Sequence, residues 1–344
     1  MAITGKQMRA VIVGASSNLG KELAEELKGA PAAAGWDLRL FDESDEAEVQ
    51  LAAAGDDAVL IQPLTQESLE GADLVFFAGE ALKARELWRA ASKAGTAVID
   101  LTGALEGETG FLVRSPWIQG GAKPDLMTVG LVSAHPAALM LALMADRLQH
   151  RLGLKTLTAT VLEPASQAGK EGLDELHKQT VSLLSFQSVP QEIFDAQVAF
   201  NLQSALGEAS RVQLGSVSEV IRRHVGLLLG AQAKTDLRLQ VVQAPVFHGY
   251  TISAMADLAV ATHEQEIRRA LHGGVVVADG DTAPSNLAAT ESGDLLVDAR
   301  AEAGKASGTA YWLWMAADNL RLAARNALAA ALELAALRPT ANVQ

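Results

Sequence analysis

Short apolar runs alternate with amphipathic stretches through the first part of the chain. Arg9–Val13 reads as a strand, Asn18–Lys28 as a helix with Leu19, Leu23 and Leu27 along one stripe, and Gly29 as its stop. Asp37–Phe41, Asp73–Phe77 and Ala97–Asp100 read as further strands, the last two separated by a helix over Leu82–Ala94. Strands alternating with helices require parallel βαβ crossovers and a sheet covered on both faces. The N-terminal part is therefore predicted to be an α/β domain with a doubly wound parallel sheet.

From about Leu154 the pattern changes. Leu154–Val161 is a long β-rich run and Lys170–Leu184 a helix, while Arg238–Val246 and Thr251–Val260 read as a strand pair around Phe247-His248-Gly249-Tyr250. Strands bunched without intervening helices predict an α+β domain with a mixed or antiparallel sheet. Trp312 and Trp314 alternate in a strand, which fits packing or a subunit interface. The Ala-rich tail Asn319–Leu337 reads as a helix with Leu320, Ala324, Ala327 and Ala331 on one stripe. There is no internal repeat, and Ala278–Thr290 is the one candidate linker.

Composition narrows the function. With 344 residues, 49% of them hydrophobic, the chain can bury a large core, and two domains are expected. A net charge of −13 opposes nucleic acid and anionic membranes, so neither is an expected partner. There is no cysteine, which excludes disulfides, thiolate metal sites and a cysteine nucleophile together. The longest apolar stretch, Val129–Leu148, is interrupted by His135, Pro136 and Asp146 and is not a membrane span. Met1–Val13 is too short for a secretory h-region, so a cytoplasmic location is expected. The histidines lack His-x-x-x-His spacing and an accompanying carboxylate cluster, so no metal site is expected.

Gly14-Ala15-Ser16-Ser17-Asn18-Leu19-Gly20 lies between the first strand and the first helix. Glycine there permits a tight turn, and the helix N-terminus offers N–H groups to a phosphate. Ser17 stands where the usual fingerprint has its middle glycine, and Ser17 or Asn18 can cap the helix. The loop is either a dinucleotide cradle or a tight turn only. Asp42 follows Gly20 by 22 residues, at the end of the second strand. A carboxylate there accepts from ribose hydroxyls and repels a 2′-phosphate, so NAD is expected over NADP. The other reading is a solvated acidic turn, since Glu43, Asp45, Glu46 and Glu48 crowd the same loop.

An ordered series of motifs carries a family resemblance: the glycine loop, Phe76-Phe77-Ala78-Gly79, Val98 to Ala104, Gly169 to Leu176, Ala244 to Gly249 and Asp318-Asn319-Leu320-Arg321. In that order they resemble the aspartate-semialdehyde dehydrogenases. Phe200-Asn201-Leu202 and Gln243 to Phe247 are most similar to the Usg-like branch. The resemblance implies a Rossmann-like dinucleotide domain over 1–132, a mixed-sheet catalytic and dimerisation domain over 133–318, and a final helix over 319–344 returning to the first. It also implies a homodimer with a small-molecule ligand. Gly14, Ser16, Ser17, Asn18, Leu19, Gly20, Asp42, Ala78, Gly79 and Asn319 would lie at the cofactor.

The family reaction interconverts an aldehyde and an acyl phosphate through a cysteine thioester, with hydride passing to NADP. Here the resemblance aligns the cysteine with His135 or Ala134, in Val132-Ser133-Ala134-His135-Pro136. Its orienting glutamine becomes Glu163, its substrate-carboxylate arginine Gln243, its histidine base Tyr250 and its phosphate-binding arginine Glu106. The substrate-side acidic and basic pair survives in kind as Glu219 and Arg222, although Arg222-Arg223-His224 also reads as an exposed helix face. Without a thiol the thioester route is closed. Two readings remain: a dinucleotide-binding, dimeric relative that has lost the reaction, and an NAD-dependent oxidoreductase acting on another carbonyl compound. In the second, Tyr250 is a candidate proton donor; in the first, His135 and Tyr250 fill the space of the lost site.

Overall fold

The computed structural model describes residues 7–42, 50–54, 57–93, 95–118, 125–126, 129–230, 235–278, 283–302 and 307–337. Glu43 to Glu48 of the acidic run, Ala94 of the second predicted helix and residues 279–282 of the candidate linker lie outside these. Two compact units emerge, one drawn from Met1–Trp117, Ala122–Ala134 and Ala323–Gln344, the other from Ile118–Gly121 and His135–Leu322.

The first unit contains β1 (Arg9–Val13), α1 (Asn18–Gly29), β2 (Asp37–Asp42), β3 (Gln50–Ala54), β4 (Asp57–Pro63), β5 (Leu74–Phe77), α2 (Ala81–Lys93), β6 (Ala97–Asp100), β7 (Phe111–Arg114) and β8 (Gly130–Ser133). They form an eight-stranded sheet in the order β3-β4-β2-β1-β5-β6-β8-β7. Seven strands run parallel, and β3 joins the edge antiparallel to β4. The central strands are apolar on both sides because both faces are covered. Ile12, Leu40, Leu74, Phe76 and Ile99 pack with Leu23 and Leu27 of α1, while Val11, Val13, Val75, Phe77 and Val98 pack with Ala84 and Ala91 of α2.

The second unit holds α3 (Pro136–Leu152), β9 (Leu154–Glu163), α4 (Gly169–Leu184), α5 (Leu214–Leu229), β10 (Asp236–Gln243), β11 (Tyr250–His263), α6 (Glu264–Leu271), β12 (Val276–Val277), α7 (Asn286–Ser292), β13 (Leu295–Ala301) and β14 (Ser307–Ala317). The final helix, α8 (Asn319–Leu337), starts here. From Ala323 onward it belongs to the first unit, where Ala324, Ala327, Leu328, Ala331 and Leu334 join the α1 side of the core. The predicted stripe shifts accordingly: Leu320 is only half-buried, and Leu328 and Leu334 take its place.

The six-stranded sheet has the order β10-β9-β11-β14-β13-β12. This corrects the predicted strand pair: β10 and β11 are not neighbours but flank β9, parallel on one side and antiparallel on the other. The chain between β9 and β10 includes α4 and α5, so β10 returns parallel to β9. Residues 244–249 then cross the end of β9, where Ala165 and Ser166 N–H groups donate to the Val246 and Phe247 carbonyls. The candidate linker is corrected as well, because residues 286–290 lie in α7.

Alternation along this sheet separates its faces. Leu157, Ala159, Val161, Ile252, Ala254, Ala256, Leu313 and Met315 are buried, and α3, α5 and α6 pack on this unit's strands. The intervening Thr158, Thr160, Ser253, Met255, Trp312 and Trp314 are half-buried or exposed. α3 is buried nearly all round, which explains its apolar composition without a membrane. Among the described residues no helix is long and apolar enough to cross one.

Candidate functional site

In the first unit, the glycine loop is built by close backbone approach. Gly14 has φ +81°, and a Cβ there would lie 2.3 Å from Gly79 Cα. A Cβ on Gly20 would lie 2.2 Å from the Gly14 carbonyl oxygen. Gly14 and Gly20 are thus fixed by the turn itself. Ser17 caps α1: its Oγ accepts from the Gly20 N–H at 2.8 Å and donates to the Ala78 carbonyl at 2.7 Å. The serine in the middle glycine's place therefore ties the loop to the turn after β5.

Asp42, ending β2, accepts a hydrogen bond from Ser16 Oγ at 2.8 Å. The first turn of α1 carries no acidic side chain, so no carboxylate within the helix offsets its positive end. Half-buried Asn18 and Leu19 occupy that turn. In a dinucleotide complex, the loop's backbone N–H groups are the ones that would face the phosphates and the Asp42 carboxylate, held by Ser16, the one that would face a ribose diol.

In the second unit, the register brings the chemistry together. Glu163 ends β9 opposite Gln243, which ends β10, and the pairing of Thr251 with Leu162 sets Tyr250 beside Glu163. His135 sits at the N-cap position of α3. The Tyr250 hydroxyl lies 2.9 Å from Glu163 Oε2 and 3.3 Å from His135 Nε2. Glu163 and Tyr250 are fully enclosed, with 1% and 0% of their surface exposed. Glu163 Oε1 and His135 Nδ1 are buried without hydrogen-bond partners among the described residues.

Burial decides the charge of this cluster. It pushes the Glu163 carboxyl up to about 8, against the opposing hydrogen bond from Tyr250. It holds the His135 imidazole down at about 3, helped by the His224 charge. Tyr250 is raised well above the ordinary tyrosine value by burial and by Glu163. At neutral pH all three are uncharged.

Three neighbours hold the cluster in place. The His135 backbone N–H donates to His224 Nδ1 on α5 at 2.9 Å. Asn286 Nδ2 donates to the Gly249 carbonyl at 2.7 Å, and Asn319 Oδ1 accepts from Gly249 N–H and Ser166 Oγ, both at 3.1 Å. Gly249, at φ +83°, is the turn that delivers Tyr250. Sequence reasoning did not single out His224 or Asn286 for the site, and no spacing along the chain marks them. It read Asn319 as a cofactor residue; its side-chain oxygen is engaged in this clamp.

Of the remaining candidates, Gln243 lies against Glu163 and the others lie away from the cluster. Gln243 Nε2 donates to the Glu163 and Ala244 carbonyls at 3.0 and 3.2 Å. Arg222, on the exposed side of α5, donates to the Leu237 and Leu239 carbonyls of the edge strand β10. Glu219 is exposed on the same helix. In the first unit, Ser133 Oγ accepts from Asn326 Nδ2 at 3.3 Å, and Glu106 is half-buried in the turn after β6. Among the described residues no three His, Asp or Glu side chains stand together as metal ligands.

Comparison with known proteins agrees with this architecture. Residues 9–129 match the family described as semialdehyde dehydrogenase, NAD binding domain, and residues 146–322 match semialdehyde dehydrogenase, dimerisation domain. A USG-1 protein homolog of Pseudomonas aeruginosa is 30% identical over 259 residues, covering 72% of this chain and 74% of its own. An aspartate-semialdehyde dehydrogenase of Rickettsia bellii is 25% identical, covering 81% and 84%. Among solved structures, a probable aspartate-semialdehyde dehydrogenase from Pseudomonas aeruginosa superposes with a TM-score of 0.82 at 26% identity, over 96% of this chain and 99% of that one. With an NAD(P)-binding domain followed by a dimerisation domain, the chain belongs to the aspartate-semialdehyde dehydrogenase family and resembles its Usg branch.

Proposed function

We propose that this chain is a homodimeric dinucleotide-binding protein, with NAD preferred over NADP, that does not carry out the phosphorylating oxidation of an aldehyde. The observation that carries this reading is the absence of cysteine from all 344 residues. Neither imidazole nor alanine forms the thioester that phosphate would cleave. Gln243 and Tyr250, at the aligned arginine and histidine positions, support it, since neither supplies a guanidinium or an imidazole base. Asp42 beside the glycine loop supports NAD. A cytoplasmic location belongs to the same reading.

The dimer is supported by the dimerisation-domain match and by the sheet face opposite α3, α5 and α6, where Trp312 and Trp314 are 49% and 42% exposed. A second copy related by a twofold axis would cover that face.

The test is a calorimetric titration with NAD⁺ and NADP⁺, alongside an assay with aspartate semialdehyde, phosphate and NADP⁺. The reading expects micromolar NAD⁺ binding, weakened by Asp42→Ala, and no acyl phosphate. Acyl phosphate formation, or no heat with either cofactor at millimolar concentration, overturns it.

A further inference from the structure

Main-chain hydrogen bonds lock the end of β2 to the glycine loop. The Gly14 and Ala15 N–H groups both donate to the Phe41 carbonyl, at 2.9 and 3.0 Å, and the Leu64 N–H donates to the Asp42 backbone carbonyl at 2.9 Å. The backbone of Asp42 is therefore fixed on both sides, and only its side-chain torsions remain to be set. Ser16 Oγ, 2.8 Å from Asp42 Oδ1, holds them.

The direction of that hydrogen bond follows from its chemistry. A hydroxyl has one proton and two lone pairs, and a carboxylate only accepts, so Ser16 is the donor. With its proton held by Asp42, Ser16 Oγ can only accept from anything else. Ser17 is committed in the same way: its hydroxyl donates to the Ala78 carbonyl and accepts from the Gly20 N–H. Neither of these hydroxyls keeps a proton for a phosphate, and main-chain N–H groups remain for that contact. Ser16 and Asp42 are both half-buried, so a ligand can reach them.

We propose that Ser16 is a positioning residue for nucleotide discrimination: by donating to Asp42 it fixes the carboxylate beside its own lone pairs, and this pair of acceptors takes a ribose diol and refuses a 2′-phosphate. The two ribose hydroxyls are donors, which such a pair satisfies. A 2′-phosphate brings acceptor oxygens and negative charge, and it meets no donor on either side chain. Removing the carboxylate reverses the situation, because the Ser16 proton is released and can donate to a phosphate oxygen. Selectivity for NAD over NADP is therefore a property of the pair and not of Asp42 alone.

The inference rests on the dinucleotide reading, and the experiment separates the two. NAD⁺ and NADP⁺ are titrated calorimetrically into the full chain as wild type, Ser16→Ala, Ser16→Thr, Asp42→Ala and the double variant Ser16→Ala with Asp42→Ala, with a thermal melt of each. Ser16→Ala is expected to weaken NAD⁺ binding about tenfold, the scale of one hydrogen bond to a charged group, and NADP⁺ binding far less, so that the selectivity ratio narrows. Ser16→Thr keeps the hydroxyl and with it the ratio. Asp42→Ala is expected to strengthen NADP⁺ binding, and the double variant to lose that gain. An unchanged ratio in Ser16→Ala, or equal weakening of both nucleotides, overturns the inference and leaves dinucleotide binding standing. A gain in NADP⁺ affinity on Asp42→Ala that is as large without the Ser16 hydroxyl as with it does the same. A wild type that prefers NADP⁺, or a folded wild type that binds neither nucleotide, overturns the nucleotide reading and this inference together.

Discussion

The Tyr250 hydroxyl meets Glu163 Oε2 at 2.9 Å where neither side chain reaches solvent. A carboxyl group there stays protonated far above its ordinary range, which couples its titration to folding. The unfolded chain releases the Glu163 proton near 4.5, while the folded chain holds it to about 8. Its contribution to stability is therefore fully present below about 4.5 and is lost as pH rises to about 8. The slope is about 1.4 kcal/mol per pH unit within that window. Glu163→Gln removes this dependence, so denaturation midpoints of mutant and wild type should diverge in the mutant's favour across the window and run parallel above it. Parallel curves throughout would sink the neutral-acid assignment.

Gly14→Ala should destabilise the first unit by at least about 1–3 kcal/mol from its left-handed backbone alone, with more from the contact with Gly79. Gly29→Ala is the internal control. It ends α1 with nothing within 4 Å of a new Cβ, so a gain of roughly 0.5–1 kcal/mol in helix stability is expected. Thermal melts of the two variants should move in opposite directions.

Arg114 on β7 holds Glu333 on α8 through two contacts, 2.6 Å from Nη2 and 3.1 Å from Nε. The pair is mostly covered, with 18% and 29% of the side chains exposed. A double-mutant cycle with Arg114→Ala and Glu333→Ala should give a coupling near 1 kcal/mol, at the upper end for such pairs. Chemical denaturation measures it, and added salt should reduce it. A coupling of zero would show that α8 is held by its apolar stripe alone.

If the proposed dimer forms through this sheet face, Trp312→Glu should yield a monomer, because it places a charge on the face opposite α3, α5 and α6. Sedimentation velocity on the full chain reads this directly. Trp314 donates from Nε1 to the Pro284 carbonyl at 3.0 Å, so Trp314→Phe also removes a local strap and is the poorer probe. A Trp312→Glu dimer as tight as wild type would move the interface elsewhere.

Much of the first unit was legible because its strands are short, apolar on both faces and bounded by helices. β1, α1, β2, β5, α2 and β6 fall within about a residue of expectation. β8 was hidden in the apolar run that continues into α3, since a buried strand and a buried helix share a composition. β3, β4 and β7 are edge or near-edge strands and were not read at all.

By itself, the sequence determined the doubly wound sheet, the mixed second sheet, the glycine turn and the absence of any thiol chemistry. These depend on local periodicity, on residues whose φ only glycine tolerates, and on composition. Tertiary structure alone decided that β9 separates β10 from β11, because strand order is a long-range property that no local period encodes. It also decided the state of Glu163. A glutamate in a sequence is an anion by default; buried against Tyr250, with no ion pair among the described residues, its carboxyl is pushed up to about 8 and stays an acid at neutral pH.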